Sequence, residues 1–488
     1  MHLSRALRVA TTALFGAAAL IAVHAHAAEI SLSPTSDLKS QLKKAQPGDV
    51  IILDDGQWNN VRIDLHAEGS AEKPITLRAK TPGQVRLTGA SRVRISGRFV
   101  VVEGLAFEDP RPEDDVFSFR TDSKHLASDC VLRNCSISDN SEVDSNRTSR
   151  WISIYGARNR VENCSFAGKA DVAATLIVWV GDVPGEHLIR RNWFGPRKPL
   201  GKNGGETIRV GTSDVSLLES RTIVEENWFE ECDGEVETIS NKSCDNIYRH
   251  NVFDRCAGTL TLRHGNRCLV EGNIFLGQGK RGTGGVRVIG EDHRVVNNYF
   301  AGLQGDEARA ALSFMNGVPN GELYEYAPVK RALVAFNTIV DCKVPMAIGV
   351  VGMKTATLPP ENCVIANNAF SIGKRSLIDP AGQTPGWQWM GNLQQSLDGV
   401  KPTARVELGD LRLEQGADGR LHPAKSSALI DRGEKLLAGF VAPSTDLDGR
   451  PRDERPDVGC EEVTAGARAV VWPTRETVGA TWKQLPQN

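Results

Sequence analysis

The chain has 488 residues, of which 40% are hydrophobic, 24% charged and only 6% aromatic, and it contains 47 glycines. This length suffices for several ordinary domains or one elongated domain, and the composition excludes a disordered, collagen-like or coiled-coil protein. The formal net charge of −2 argues against a nucleic-acid binder, because such domains normally carry a basic surface.

The N-terminal segment up to Ala27 has the pattern of a secretory signal peptide. Arg5 and Arg8 form a basic start, residues 9–23 are apolar or small, and Ala25 and Ala27 form an A-x-A cleavage site. A membrane anchor is the alternative, but this apolar run is shorter than the roughly 20 residues that a spanning helix needs. We therefore expect cleavage near Ala27 and a secreted or periplasmic mature protein that does not lie in a membrane.

A short amphipathic helix is predicted near the start of the mature chain. Asp37 precedes the segment LKSQLKKA as a helix cap, and Pro47-Gly48 end the helix before the strand-like segment DVIILDDG. A helix this short suits a lid on the first layer of a larger β structure.

A short unit recurs through the middle of the chain, with an asparagine before a pair of aromatic or aliphatic residues. Its copies are VENCSF, IRRNWF, VEENWF, YRHNVF, VEGNIF, VVNNYF, VAFNTI and IANNAF. Seven asparagines mark the repeat: Asn192, Asn227, Asn251, Asn273, Asn298, Asn337 and Asn368. The steps from Asn227 to Asn298 are short, and the steps before and after them are longer. The chain therefore has an internal repeat with inserted segments.

The shortest steps, from Asn227 to Asn298, indicate an all-β solenoid. Each holds about three short strands with turns, but it has no room for a helix in every repeat. We predict a parallel β-helix over residues 28–370, in which the asparagines form an inward ladder and the longer steps mark inserted loops. A leucine-rich horseshoe is the alternative, but the repeats lack its regular leucine framework.

Residues 371–488 lose the asparagine marker and gain proline and arginine. We expect them to form the last coils and an irregular C-terminal cap of the same domain.

The ten cysteines follow the repeat. Cys232, Cys256 and Cys342 occupy the same place in three copies, directly after the units NWFEE, NVFDR and NTIVD. This pattern favours buried thiols stacked between layers over disulfides, so we expect few or no disulfides.

The stretch from Lys202 to Arg287 concentrates charged residues that stacked strands would bring to one surface. Glu235 and Glu237 are separated by a single residue and share a face on a strand, while Asn203 and Glu206 lie one coil earlier. Four oxygen donors suit a hard cation such as Ca²⁺. The alternative is that the two glutamates form only a solvated edge.

Basic residues accompany these oxygen donors. Lys242 follows shortly after Glu237, and Arg263 follows Lys242 at a separation close to one coil. A cation, an amine and a guanidinium together could remove a carbon-bound proton beside a carboxylate and stabilise the charge that develops. Surface ion pairing is the alternative for each basic residue, and Arg287 is either a carboxylate clamp or structural.

Five segments resemble polysaccharide lyase family six, the family of alginate lyases and chondroitinase B. They are AQPGDVIILDDGQW, KPITLRAKTPGQVRLTGAS, NGGETIRVGTS, EVETISNKS and LTLRHGN. The resemblance implies a right-handed β-helix in which Lys242 is the base and Arg263 the acid. It also implies four calcium ligands: Asn203, Glu206, Glu235 and Glu237. We assign Arg209, His264 and Arg287 to substrate binding.

The expected function is that of a monomeric alginate lyase. It would cleave mannuronate-containing alginate by Ca²⁺-assisted β-elimination, which leaves 4,5-unsaturated uronate ends. A dermatan sulfate lyase like chondroitinase B is the main alternative within the family. A hydrolase with two catalytic carboxylates is less favoured, because the available acids belong to the proposed cation site. A non-catalytic β-helical carbohydrate-binding protein is the remaining alternative.

Overall fold

The computed structural model describes residues 27–399, 405–464 and 466–483. The predicted signal peptide lies outside these residues, apart from Ala27. The described part of the chain contains no helix with the length and apolar character that a membrane crossing requires.

Three long parallel sheets run the length of the molecule, and most coils contribute one strand to each, which confirms the predicted parallel β-helix. Sheet 1 has 14 strands. They are Glu29–Leu32, Val50–Leu53, Ile75–Ala79, Val100–Glu103, Val131–Arg133, Arg160–Glu162, Leu188–Arg190, Ile223–Glu225, Ile247–Arg249, Leu269–Glu271, Arg294–Val296, Leu333–Ala335, Val364–Ala366 and Gln388–Met390.

Sheet 2 has 13 strands and carries the charged stretch noted in the sequence. They are Arg62–Glu68, Arg92–Arg98, Asp115–Ser118, Ala127–Ser128, Arg150–Ile154, Leu176–Val178, Ile208–Val210, Glu237–Lys242, Thr259–His264, Val286–Val288, Leu312–Met315, Met346–Val350 and Ile378–Ala381.

Sheet 3 has 14 strands. They are Gly56–Asn59, Val85–Thr88, Leu105–Glu108, Ser136–Ser138, Ser165–Ala167, Trp193–Phe194, Trp228–Glu230, Val252–Asp254, Ile274–Leu276, Tyr299–Ala301, Thr338–Val340, Ala369–Ser371, Leu393–Gln395 and Glu407–Gly409. Two small sheets pair Asp144–Thr148 with Asp171–Val172 and Leu413–Gln415 with Leu421–Pro423. The helical elements are the α-helix Leu38–Leu42 and the 3-10 turns Ser213–Val215, Glu307–Arg309 and Thr481–Lys483.

The repeated asparagines form the predicted inward ladder. The main-chain N–H of Asn227 donates to Oδ1 of Asn251 (3.0 Å), and its side-chain amide donates to the carbonyl of Ile189 in the preceding coil (2.9 Å). The same pattern continues along the markers as far as Asn392. The ladder therefore satisfies buried backbone groups at the turns between sheets 1 and 3 from Asn192 to Asn392.

The aromatic residues that close the repeat units stack inside the solenoid. Five phenylalanine rings lie 4.6 to 4.9 Å apart, which is close to the spacing of neighbouring strands. They are Phe194, Phe229, Phe253, Phe275 and Phe300. All ten cysteines lie within the described residues, where they are buried and free of disulfides, as the repeat pattern predicted.

Each end of the solenoid is covered differently. The helix Leu38–Leu42 begins at Asp37, whose side chain accepts a hydrogen bond from the Ser40 N–H, and it buries Leu42 against the first coils. At the other end, the strands Ile378–Ala381, Gln388–Met390, Leu393–Gln395 and Glu407–Gly409 complete the coils, and the chain then turns back along the outside. Leu447 packs against apolar side chains on the outer face of sheet 3, so the C-terminal segment covers a flank of the solenoid.

Candidate active site

The candidate site lies on the outer face of sheet 2. The pairing register places Arg209 opposite Ser240, Ser240 opposite Thr261, and Thr261 opposite Arg287. Their strand neighbours, such as Val210 and Val286, point inward and are fully buried. Alternation along each strand therefore aligns these polar side chains in a column that faces outward.

Three carboxylates converge beside this column. Single oxygen atoms of Glu206, Glu235 and Glu237 lie within 4.8 Å of one another. The strand begins only at Glu237, so Glu235 comes from the preceding loop, and strand alternation does not explain why the two glutamates meet. The loops can approach because Gly205 and Gly234 lack side chains: a Cβ at Gly205 would lie 2.4 Å from the Gly234 carbonyl oxygen.

The carboxylate cluster has the electrostatics of a cation site. Burial, together with the negative charges of Glu206 and Glu237, raises the pKa of Glu235 to about 8. Oε2 of Glu206 and Oε1 of Glu235 are buried without a hydrogen-bond partner among the described residues. Unpartnered buried carboxylate oxygens are costly, and a hard cation such as Ca²⁺ would satisfy them.

Asn203, the fourth predicted calcium ligand, is placed differently from the three glutamates. It is exposed on the loop before Glu206, where it lines a cleft of about 460 Å³ together with Glu235. The backbone N–H of its neighbour Gly204 donates to Oε2 of Glu235 (3.2 Å). The structure therefore brings the Asn203 loop to the carboxylates and leaves the Asn203 side chain at the mouth of the cleft.

Lys242 ends the strand that Glu237 begins, and it is half-buried. Burial lowers the pKa of Lys242, Arg209 and Arg263 lower it further, and the nearby glutamates oppose the shift. A register shift after Asn241 pairs Lys242 with His264 rather than with Arg263. An amine with a lowered pKa at this position could accept a proton from a bound substrate.

Arg263 is held on three sides. Its Nε lies 4.0 Å from Oε1 of Glu237, and its Nη2 donates to the carbonyl of Tyr324 (3.1 Å). Its guanidinium also lies over the Tyr326 ring, 4.3 Å from the centroid. Sequence reasoning missed both tyrosines. The available signal was the long step between Asn298 and Asn337, because this insertion contains them.

The three residues assigned to substrate binding lie at the site with different exposure. Arg287 is only 4% exposed, and its Nη2 donates to Oε1 of Glu237. Burial and Arg263 lower the pKa of His264 to about 3, so this imidazole is neutral, and its Nε2 lies 3.2 Å from the Ser213 hydroxyl. Arg209 is partly exposed, with Nη1 4.0 Å from Oε1 of Glu206.

Comparisons with known proteins bear on the family and the fold of this chain. The family model described as Chondroitinase B matches residues 32–371. The solved structure of the PL6 family alginate lyase AlyGC has a TM-score of 0.77 and 36% identity, covering 86% of this chain and 60% of AlyGC. A mannuronic acid specific polysaccharide family 6 lyase from human gut microbiota has a TM-score of 0.69 and 32% identity, covering 78% of this chain and 90% of its own.

A third solved structure, the PL6 family polysaccharide lyase Pedsa3628 from Pseudopedobacter saltans, has a TM-score of 0.62 and 25% identity, covering 78% of this chain and 91% of its own. This chain thus spans 60% of the length of AlyGC and nine-tenths of the other two. No curated protein matches the chain. The family match over most of the sequence, together with relatives at 36% and 32% identity, shows that the chain belongs to the chondroitinase B family, polysaccharide lyase family six.

Proposed function

We propose that the protein is an alginate lyase that cleaves mannuronate-containing chains by β-elimination with the help of Ca²⁺. The observation that carries the proposal is the convergence of three carboxylates, Lys242 and Arg263 on one outer face of the β-helix. This set of groups suits elimination beside a uronate carboxylate better than hydrolysis. A hydrolase needs one carboxylate as an acid and a second as a base or nucleophile, whereas the three clustered carboxylates here would be taken up by the cation.

The residues that would hold Ca²⁺ are Glu206, Glu235 and Glu237, with Asn203 at the mouth of the cleft. Bound there, Ca²⁺ would supply positive charge to neutralise the substrate's C6 carboxylate and so make the C5 proton more acidic. Arg287 already donates to Glu237, which fixes the direction in which that carboxylate points. The oxygens of Glu206 and Glu235 that lack a hydrogen-bond partner among the described residues would be available to hold the cation.

Lys242 would act as the base. Its amine must be neutral to accept the C5 proton, and burial together with Arg209 and Arg263 favours the neutral form. As the C5–H bond breaks, its electron pair forms the C4=C5 double bond, and the bond from C4 to the glycosidic oxygen breaks. Arg263 would act as the acid and give this departing oxygen a proton, so that it leaves as a hydroxyl group. The product has a 4,5-unsaturated uronate at its new end.

Two relatives support alginate, and mannuronate in particular, as the substrate. AlyGC is described as an alginate lyase, and the relative from human gut microbiota as mannuronic acid specific. They are 36% and 32% identical to this chain, respectively. The matching family model is described as Chondroitinase B, so dermatan sulfate is the second candidate substrate.

The rate of cleavage of four polymers distinguishes these alternatives. The polymers are poly-mannuronate, alternating alginate, poly-guluronate and dermatan sulfate. The purified protein should release unsaturated products, seen by ultraviolet absorbance, fastest from poly-mannuronate or alternating alginate. Fastest release from dermatan sulfate would move the assignment to the chondroitinase branch. Reducing ends without ultraviolet absorbance would indicate a hydrolase, and binding without cleavage would indicate a carbohydrate-binding protein.

An enzyme that cleaves a large anionic polymer would work outside the cytoplasm, because that is where it encounters such a substrate. We propose that the protein acts in the periplasm or the medium after cleavage near Ala27. N-terminal sequencing of the protein recovered from these fractions tests the proposal, and recovery of an uncleaved chain would contradict it.

A further inference from the structure

Arg197 lies directly beneath the two loops that carry Glu206 and Glu235. It follows the sheet 3 strand Trp193–Phe194, and its backbone forms a parallel bridge with Cys232 one coil further on. Its side chain turns inward, so the residue is only 3% exposed. Arg197 was not among the residues that sequence reasoning singled out.

The Arg197 guanidinium holds the main chain of two successive coils. Nη1 donates to the carbonyl of Glu206 (2.6 Å) and lies 3.4 Å from the Thr175 hydroxyl. Nη2 donates to the carbonyls of Asp171 (2.8 Å) and Ala173 (3.0 Å). A planar guanidinium with fixed donors can join acceptors from both segments, whereas a lysine amine cannot reproduce this fork.

The stem of the same side chain supports the next loop. A Cβ at Gly234 would lie 2.9 Å from Cδ and Nε of Arg197, so this glycine lets the loop rest on the arginine. Glu235 follows at once and projects one of the three clustered carboxylates. Arg197 therefore contacts the backbone of both loops whose side chains form the cation site.

Charge pairing does not explain this burial. Within the described residues, Arg197 forms no ion pair, and all its hydrogen-bond acceptors are main-chain carbonyls except the Thr175 hydroxyl. Burial lowers the pKa of Arg197 to about 10, although the nearby charges of Glu206 and Asp171 oppose the shift. A buried guanidinium is costly unless its donors are satisfied, so its value here lies in the geometry that those donors impose.

We propose that Arg197 is a positioning residue for the cation site, setting the distance between the Glu206 and Glu235 carboxylates by holding their loops from below. The inference rests on the proposed function, because it takes these carboxylates as the Ca²⁺ ligands. It concerns a residue that touches neither the cation nor the substrate.

The test is a calorimetric titration of Ca²⁺ into full-length, chelator-treated protein, without substrate. The variants are Arg197→Lys, which keeps the charge and loses the fork, and Arg197→Met, which loses both. Removing the groups that orient metal ligands typically weakens metal affinity about tenfold to a hundredfold, and we expect both variants to show this loss. Arg255→Met is the matched control, because Arg255 is partly exposed after the sheet 3 strand Val252–Asp254, two coils further on, and pairs with Glu230 and Glu231.

Two other roles for Arg197 predict different affinities. If Arg197 acted only through its charge, Arg197→Met would bind Ca²⁺ more tightly and Arg197→Lys would match the wild type. If it only stabilised the fold, thermal midpoints would fall while the affinity of the folded variants stayed the same. Either result overturns the proposal. If Arg197→Met does not fold, Arg197→Lys decides alone, since the proposal requires that retained charge fails to rescue affinity.

Failure of the proposed function would look different. A wild-type protein that binds Ca²⁺ but releases no unsaturated products would refute the lyase assignment, and the affinities of the Arg197 variants would still decide this inference. A wild-type protein that binds no Ca²⁺ would overturn the positioning role itself.

Discussion

The guanidinium of Arg263 lies over the ring of Tyr326, with Cζ 4.3 Å from the ring centroid. The two residues come from different coils, because Tyr326 belongs to the insertion between the sheet 2 strand Leu312–Met315 and the sheet 1 strand Leu333–Ala335. The same insertion supplies the Tyr324 carbonyl that accepts from Arg263 Nη2. An inserted loop therefore orients the arginine that we propose assists the leaving group.

Replacing Tyr326 with leucine should lower kcat, because the aromatic face that holds Arg263 is lost. A cation–π contact contributes roughly 0.5 to 2 kcal/mol, which corresponds to about a 2-fold to 30-fold decrease in rate. Steady-state kinetics on poly-mannuronate measures the effect. Tyr326→Phe is the matched control and should keep nearly all activity, since it retains the ring. Equal activity in Tyr326→Leu and wild type would show that the ring does not position Arg263.

Lys242→Ala should lose at least the roughly hundredfold to ten-thousandfold in turnover that a general base contributes. Lys242→Arg should be nearly inactive as well, because a guanidinium stays protonated and cannot accept the C5 proton. Circular dichroism should show folded protein in both cases, since the side chain lies on the outer face of sheet 2. Lys198→Arg, an exposed lysine paired with Glu142, is the control. Substantial turnover by folded Lys242→Arg would exclude Lys242 as the base.

Chelation of divalent cations should abolish most activity, and added Ca²⁺ should restore it. The fold should survive this treatment, because the strand ladders and the stacked core, rather than a metal, hold the coils together. Parallel measurements of activity and far-ultraviolet circular dichroism on chelated protein check both expectations. A preparation shown to contain no metal yet fully active would contradict the calcium assignment.

The protein should lose stability in mild acid because several histidines are buried in neutral form, among them His187 and His293. Burial lowers the pKa of His187 and of His293 to about 4, from 6.5 for an unperturbed imidazole. Between about pH 4 and pH 6.5, these histidines bind protons in the unfolded chain but not in the folded protein. The free energy of unfolding therefore falls as pH drops from about 6.5 to about 4, by on the order of 2 kcal/mol per histidine at about pH 5.

His293→Asn tests this explanation. Nδ1 of His293 accepts from the Cys268 N–H, and its Nε2 bonds the carbonyl of Ile289 in the preceding turn of the chain. Asn159 makes the equivalent pair of bonds in another coil, so asparagine fits the position and does not titrate. Thermal midpoints of the variant should match the wild type at neutral pH and fall less on acidification. An unchanged acid sensitivity would mean that His293 does not cause it.

Much of the fold was predictable from local repetition. Each copy of the repeat, such as those around Asn227 and Asn251, contains its own strand residues, an inward asparagine and a stacked phenylalanine. One copy is therefore enough to predict the structure of one coil. The path of the C-terminal segment was not predictable in this way. Ala480 donates a hydrogen bond to the Ser165 hydroxyl, 315 residues earlier in the chain, and no local pattern encodes so distant a contact.

The types of residue in the site were also readable from the sequence, because oxygen donors and basic groups recur at spacings near one coil. Their geometry was not. Strand alternation does not explain how Glu235 meets Glu237, and the Glu206 and Glu235 loops come together because Gly205 and Gly234 pass close to each other. The sequence alone determined the solenoid and the chemistry of its charged face, since both follow from short-range periodicity. Only the tertiary structure decided that Arg197 supports the carboxylate loops and that Tyr326 holds Arg263, because these contacts depend on how loops from different coils pack against one another.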